Sequence, residues 1–365
     1  MKQIITRFFL VSIFLLTIET VFGHLSTENN EIHSKYPSYS ILVNGDSIEN
    51  FNQETKIYRI NLPYNTSKLP QISLTNSTNN LDIKVINALN LSGTEKERTA
   101  KIIIKSKENS ISDSYTFIYR VLPKLDLFLL IGQSNMAGRG TMTFLYLDTL
   151  SNVFLLTPNS GMEKACNPLN KYSNIRKDIK IQQVGPGYGF SKKLVSVTGA
   201  NIGLIVNARG GTSIDSWEKG NSNHYYEKTL SRMKSALKWG SLKAILWHQG
   251  EGDSKHPETY MKKLADLVQN LRTDLNSSNV LFVAGEIAYW RNNGNGSTAF
   301  NEMINTISTY IPNSTNVSAQ GLTPLIDFSD PHFDAKSQLI LGERYADKVL
   351  ESCYSESFRN QSVNK

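Results

Sequence analysis

Apolar residues recur along this chain with two different rhythms. In residues 36–122 the period is two: Tyr58, Ile60 and Leu62; Leu81, Ile83 and Val85; Tyr115, Phe117, Tyr119 and Val121. Such alternation marks strands with one face on a core and the other in water. Turn-forming clusters such as Asn44-Gly45 and Leu69-Pro70 separate the runs. Short strands between turn signals, with no helical period among them, predict a small all-β sandwich. From residue 123 to 353 the rhythm changes. Continuous apolar runs at 127–131, 153–156, 202–206, 244–247 and 281–286 read as buried parallel strands. Between them lie helical periods. Residues 258–275 place Tyr260, Leu264, Leu267, Val268, Leu271 and Leu275 on one face, and a last helix from about Ala335 does the same with Leu339, Gly342, Ala346, Val349 and Leu350. Alternating strands and helices predict an α/β domain, a parallel sheet between two helical layers. The two domains meet near Pro123-Lys124.

The first residues carry a different pattern. Lys2 and Arg7 precede an apolar stretch over residues 8–18, and Val21-Phe22-Gly23 supplies a small-residue cleavage site. This predicts a signal peptide over residues 1–23 and a secreted or periplasmic protein. The stretch is short and ends at Glu19, which makes a poor membrane span. Residues 354–365 form a polar tail. Across 365 residues the net charge is +7, carried by scattered lysines. A solvated surface explains that balance better than a nucleic-acid stripe, and no nucleic-acid partner is expected. Cys166 and Cys353 are the only cysteines; an export route permits them to pair without requiring it. Sequons at Asn65, Asn76 and Asn90 matter only where a glycosylation pathway exists.

Four segments carry the candidate chemistry, and most directly follow a predicted strand. They are Gly132-Gln133-Ser134-Asn135, the run from Ala208 to Ile214, the run from Trp247 to Asp253, and Asp330-Pro331-His332-Phe333-Asp334. In one parallel sheet these converge at the carboxyl edge, where ligands bind. A serine hydroxyl becomes a useful nucleophile only when a neutral imidazole takes its proton and a carboxylate orients that imidazole. Ser134 and His332 supply the first two groups. Acyl transfer also calls for donors aimed at the developing oxyanion; a glycine of the 210–211 pair and the Gln249 side chain are candidates. The α/β-hydrolase elbow is not met, because Met136 stands where its second glycine belongs.

Together the runs GQSNMAG, GGTSIDSW, WHQGEGD and HFDAKSQLILGERYA resemble the SGNH hydrolase superfamily. Within it they are most similar to the sialate O-acetylesterase-like domain of carbohydrate esterase family 6. The resemblance spans nearly all of residues 125–350. It implies a three-layer flavodoxin-like fold and hydrolysis of acetyl esters on sugars, without cofactor or metal. It makes Ser134 the nucleophile and His332 the base, and it places the Ser134 amide, the Gly211 amide and Gln249 in the oxyanion hole. An acetylated carbohydrate is the expected partner, either an acetylxylan-type polysaccharide or O-acetylated sialic acid. Members commonly carry an aspartate three residues before the histidine, where this chain has Ser329. Asp330 lies two before His332 and Asp327 five before. Glu251, in the Gln-Gly-Glu run, is the other candidate acid and is placed ahead of Asp330.

Further residues have weaker claims. Arg209 is a candidate to grip a sugar carboxylate, against ordinary surface pairing. Trp217 suits a substrate cleft and a core equally. His248 reads as structural, His224 and His256 as surface residues, and no zinc-binding spacing occurs. Gly185-Pro186-Gly187-Tyr188-Gly189 reads as a turn entering a helix, and Ser213 as a loop stabiliser. The β-sandwich reads as a spacer or folding cap ahead of a carbohydrate-binding role. Two other functions compete with a carbohydrate acetylesterase: a catalytically inactive carbohydrate-binding or adhesive protein on the same fold, and a general arylesterase.

Overall fold

A computed structural model describes residues 39–48, 51–75, 80–108, 112–255, 257–291 and 297–355. The predicted signal peptide, Asn76, His256 and most of the predicted tail lie outside the described residues. Residues Ser40–Lys365 form one compact unit.

The first part of this unit is all β, as its period-two pattern implies. Strand β1 (Ile41–Val43) pairs antiparallel with β2 (Asp46–Ser47), and a later strand, β4 (Ile72–Leu74), pairs on its other side. A second sheet holds β3 (Ile57–Leu62), β5 (Leu81–Ile86), β6 (Thr99–Ser106) and β7 (Ser112–Val121), in the order β3-β7-β6-β5. Its pairs are antiparallel except β3 with β7, which run parallel. Tyr115, Phe117 and Tyr119 on β7 are buried, as alternate positions on one face of a strand should be. On β5, by contrast, Ile83 is exposed, because that strand lies at the sheet edge. Residues 122–124 lead from β7 into the next strand.

That strand, β8 (Leu125–Gly132), lies within a seven-stranded sheet. Its companions are β9 (Val153–Leu156), β10 (Met162–Lys164), β11 (Ile202–Ala208), β12 (Gly240–His248), β13 (Leu281–Gly285) and β14 (Ser314–Val317). The order is β10-β9-β11-β8-β12-β13-β14, parallel throughout except for β10. The helices are α1 (Ser134–Ala137), α2 (Pro186–Thr198), α3 (Tyr225–Ala236), α4 (Tyr260–Asp274), α5 (Ser297–Asn305), α6 (Ile307–Tyr310) and α7 (Ala335–Cys353).

Strand β8 shows why its sequence is apolar without alternation. Leu125, Leu127, Leu129 and Ile131 face a core completed by α3, α4 and α5, including Tyr226, Leu264, Val268 and Phe300. Phe128 and Leu130 face the opposite core with Phe190 of α2 and Leu341, Tyr345 and Val349 of α7. Each fully buried side chain of this size contributes about 1.5–3 kcal/mol, so both faces of the strand drive the three-layer arrangement. The chain fills one side of β8 with β9 and β11, then crosses to β12. Ser134 thus follows the strand beside which the direction of winding reverses, the usual position of a ligand crevice in open α/β sheets.

The two cysteines do not pair. Cys166 lies 3.4 Å from Lys171 Nζ, and Cys353 lies near the Lys243 carbonyl.

Candidate active site

The serine corner depends on backbone that only glycine tolerates. Gly132 ends β8 with φ +133°, and a Cβ there would stand 2.1 Å from the His248 carbonyl oxygen. That carbonyl instead accepts from the Gln133 N–H at 2.8 Å, while the Arg209 N–H donates to the Gly132 carbonyl at 3.0 Å. The chain then turns into α1, whose first residue is Ser134, only 6% exposed. Among the described residues the Ser134 N–H has no acceptor, as expected for the first turn of a helix.

His332 arrives from the other end of the domain. Asp334 caps α7 by accepting from the Ser337 N–H at 2.7 Å, and the His332 carbonyl accepts from the Leu325 N–H at 2.8 Å. The ring Nδ1 lies 2.7 Å from Asp330 Oδ1, which also accepts from the His332 backbone N–H at 2.9 Å. With Nδ1–H donated to a carboxylate, Nε2 is the nitrogen left to accept a proton. Burial holds His332 below its ordinary pKa; Asp330 opposes that shift, and the charges of Arg139 and Arg291 add to it. Trp290 Nε1–H donates to the Asp330 carbonyl at 2.7 Å and so fixes the aspartate's backbone.

Asn135 joins the two halves. Its Nδ2 donates to Glu251 Oε1 at 2.6 Å and to the Pro331 carbonyl at 3.1 Å. Its Oδ1 accepts from the Phe333 N–H at 3.2 Å and from Gln338 Nε2 at 3.1 Å. All four hydrogen-bonding positions of the amide are used. Two of them grip the residues on either side of His332, so the neighbour of the serine holds the histidine loop against the serine corner. Asn135 is fully buried, where a lost bond costs more than at the surface.

This geometry reverses the expected order of the two carboxylates. Asp330 sits on His332, whereas Glu251 is buried against Asn135, with Oε1 3.9 Å from His248 Nε2. Burial pushes the Glu251 carboxyl up, against the Asn135 hydrogen bond and the Arg291 charge. Asp327 takes its hydrogen bonds from Ser329, in its own turn. His248 is structural: buried, pushed down to about 3 by burial, with Nδ1 3.3 Å from the Tyr345 hydroxyl. His224 is exposed.

Gln249 Nε2 donates to the Thr212 carbonyl at 2.9 Å and to Asp253 Oδ2 at 2.5 Å, so both N–H groups are spent inside the loop rather than aimed at Ser134. Of the glycine pair, Gly210 borders the serine: a Cβ on Gly210 would lie 3.2 Å from Ser134 Cβ. Exposed Gly211 faces Lys177 instead, with φ +75°. Arg209 Nη1 donates to the Ile175 carbonyl at 2.7 Å and the guanidinium lies over the Tyr225 ring, which ties down a loop. Trp217 is fully buried, donates to Thr212 Oγ1 at 3.1 Å and packs on Trp247, so it belongs to the core.

Asn135, Trp290 and Arg139 escaped the reading of the sequence. Asn135 carried a signal, its place beside the nucleophile; the other two carried none. A cavity of about 430 Å³ lined by Tyr58, Asn61, Asn159 and Trp239 contains no residue of this cluster. Among the described residues no group of three His, Cys, Asp or Glu side chains is placed to hold a metal ion, and no helix is long and apolar enough to cross a membrane.

Comparison with known proteins agrees with the fold and the motifs. Residues 124–351 match the family model for carbohydrate esterase, sialic acid-specific acetylesterase. A probable carbohydrate esterase from Arabidopsis thaliana is 34% identical over 188 residues, covering 46% of this chain and 70% of that protein. The X-ray structure of the same Arabidopsis protein aligns with a TM-score of 0.55 at 30% identity, over 63% of this chain and 99% of that one. A carbohydrate acetylesterase from Xanthomonas citri aligns with a TM-score of 0.47 at 14% identity, over 76% of this chain and 70% of that one. The chain belongs to the sialic acid-specific acetylesterase family of carbohydrate esterases.

Proposed function

We propose that this carbohydrate esterase is exported and removes O-acetyl groups from sugars through an acetyl-enzyme. Ser134 Oγ attacks the acetyl carbonyl carbon while His332 Nε2 takes its proton. The carbonyl π electrons move onto oxygen. Collapse of that adduct expels the sugar oxygen, which receives the proton from His332, and water then releases acetate by the same steps. Asp330 holds the ring in the tautomer the first step requires and stabilises the imidazolium. The Ser134 N–H and the N–H of Gly210, the glycine that borders Ser134, are assigned to the oxyanion.

One observation carries this reading: the 2.7 Å His332–Asp330 bond in a loop that Asn135 clamps to the serine corner. The supporting experiment measures acetate release from acetylated xylan, acetylated sialosides and acetylated pectin, for wild type and Ser134→Ala. Release by wild type alone supports the serine mechanism, and equal release by both proteins sinks it. Wild type inert on all three sugars yet active on 4-nitrophenyl acetate would favour a general arylesterase. Export rests on the pattern of residues 1–23 and is checked by N-terminal sequencing of protein recovered outside the cytoplasm.

A further inference from the structure

With Gln249 committed to Thr212 and Asp253, the site lacks a side-chain donor for the oxyanion unless another group takes that place. Arg139 lies beside the serine corner. Its Nη1 donates to the Gly138 carbonyl at 2.7 Å and to the Ile181 carbonyl at 3.2 Å, which fixes the guanidinium plane. Its Nη2 points elsewhere: a Cβ on Gly210 would meet Arg139 Nη2 at 2.7 Å and Ser134 Cβ at 3.2 Å. Arg139 Nη2 and Ser134 Cβ therefore both lie beside the Gly210 α-carbon, so close that a side chain on residue 210 would crowd both. Among the described residues no carboxylate is seen to offset the burial of the Arg139 guanidinium. A half-buried cation without a counter-ion is costly, and its burial lowers its pKa. Its charge is also felt at His332.

We propose that Arg139 is a catalytic residue of this esterase, its Nη2 donating to the oxyanion that forms when Ser134 attacks the acetyl carbonyl. This rests on the serine-esterase reading above. Arg139 transfers no proton; it offers a fixed, charge-assisted donor to an oxygen that becomes negative only in the transition state, so its effect falls on kcat. The clamp on Gly138 and Ile181 removes the reorganisation that a free arginine would undergo. Contact with the reacting centre sets this apart from a grip on a sugar carboxylate, which would act through KM and only for acidic sugars.

The test compares Arg139→Gln and Arg139→Lys with wild type on a neutral acetylated xyloside and an acidic acetylated sialoside, with thermal melts to confirm folding. Expected is a fall in kcat of about 10²–10³-fold for Arg139→Gln, similar for both sugars, with little change in KM. Arg139→Lys, which cannot reach Gly210 and both carbonyls from its shorter stem, should lose at least about tenfold. Wild-type kcat in whichever variant folds overturns the proposal. So does a loss confined to KM for the sialoside, which would make Arg139 a carboxylate grip. Should Ser134→Ala match wild type, the underlying serine mechanism has failed, and that outcome is read independently of Arg139.

Discussion

Replacing Asp330 by asparagine tests the centre of this site. In wild type the carboxylate accepts from both the backbone N–H and the ring Nδ1–H of His332. Asparagine can keep the backbone bond through its oxygen, but it carries no charge, and its amide hydrogens can drive the ring into the tautomer with Nε2 protonated. The charge term follows from the geometry. At 2.7 Å, opposite unit charges interact by about 6 kcal/mol at an effective dielectric of about 20 and about 3 kcal/mol at about 40. The side chains are 12% and 26% exposed, which argues for the lower half of that range. Asp330→Asn should therefore lower kcat/KM about 10²–10³-fold. Glu251→Gln provides the contrast. A glutamine oxygen can still accept from Asn135 Nδ2, so the clamp on the histidine loop survives and the loss should stay within about tenfold. Initial rates on 4-nitrophenyl acetate, with acetylated xyloside as the second substrate, measure both. A near-wild-type Asp330→Asn beside a collapsed Glu251→Gln would return the orienting role to Glu251 and refute the geometry argued above.

The remaining expectations are narrower. Because the base must be neutral and burial holds His332 below the ordinary histidine value of 6.5, kcat/KM should fall on the acid side with a midpoint below 6.5; a midpoint above 6.5 would contradict the assignment. Loss of the Asp330 charge, which raises that pKa, should move the midpoint of Asp330→Asn further down. His248 stays neutral until about pH 3, so its ring signals in two-dimensional NMR should not titrate between about pH 8 and 5, where an ordinary histidine changes charge. Gly132→Ala forces a methyl group onto the His248 carbonyl at a positive φ and should cost about 3–5 kcal/mol in denaturant unfolding. Trp217→Ala should cost about as much through the cavity it leaves, and a specific rise in sugar KM with unchanged stability would restore it to the substrate cleft.

The layered fold and the parallel sheet were legible in the chain because strands buried on both faces are apolar throughout, and because helices facing a sheet repeat at their own period. Ser134 and His332 stand out in the chain because acyl transfer restricts both the residue types and their place at strand and helix ends. The partner of His332 was not. Glu251 and Asp330 are both carboxylates near motif positions, and only the course of the loop before α7 puts one of them 2.7 Å from the ring. The setting of Gln249 was hidden for a related reason: a side-chain amide is a donor wherever it lies, and tertiary contacts spent this one on Thr212 and Asp253. Trp217 and Arg209 were drawn into the core and a loop staple by neighbours distant in sequence. Residue type and period are properties of short segments. Which polar group is left unspent is a property of the whole packed chain, and here it decides that Asn135 clamps the histidine loop while Arg139 Nη2 is left beside Gly210.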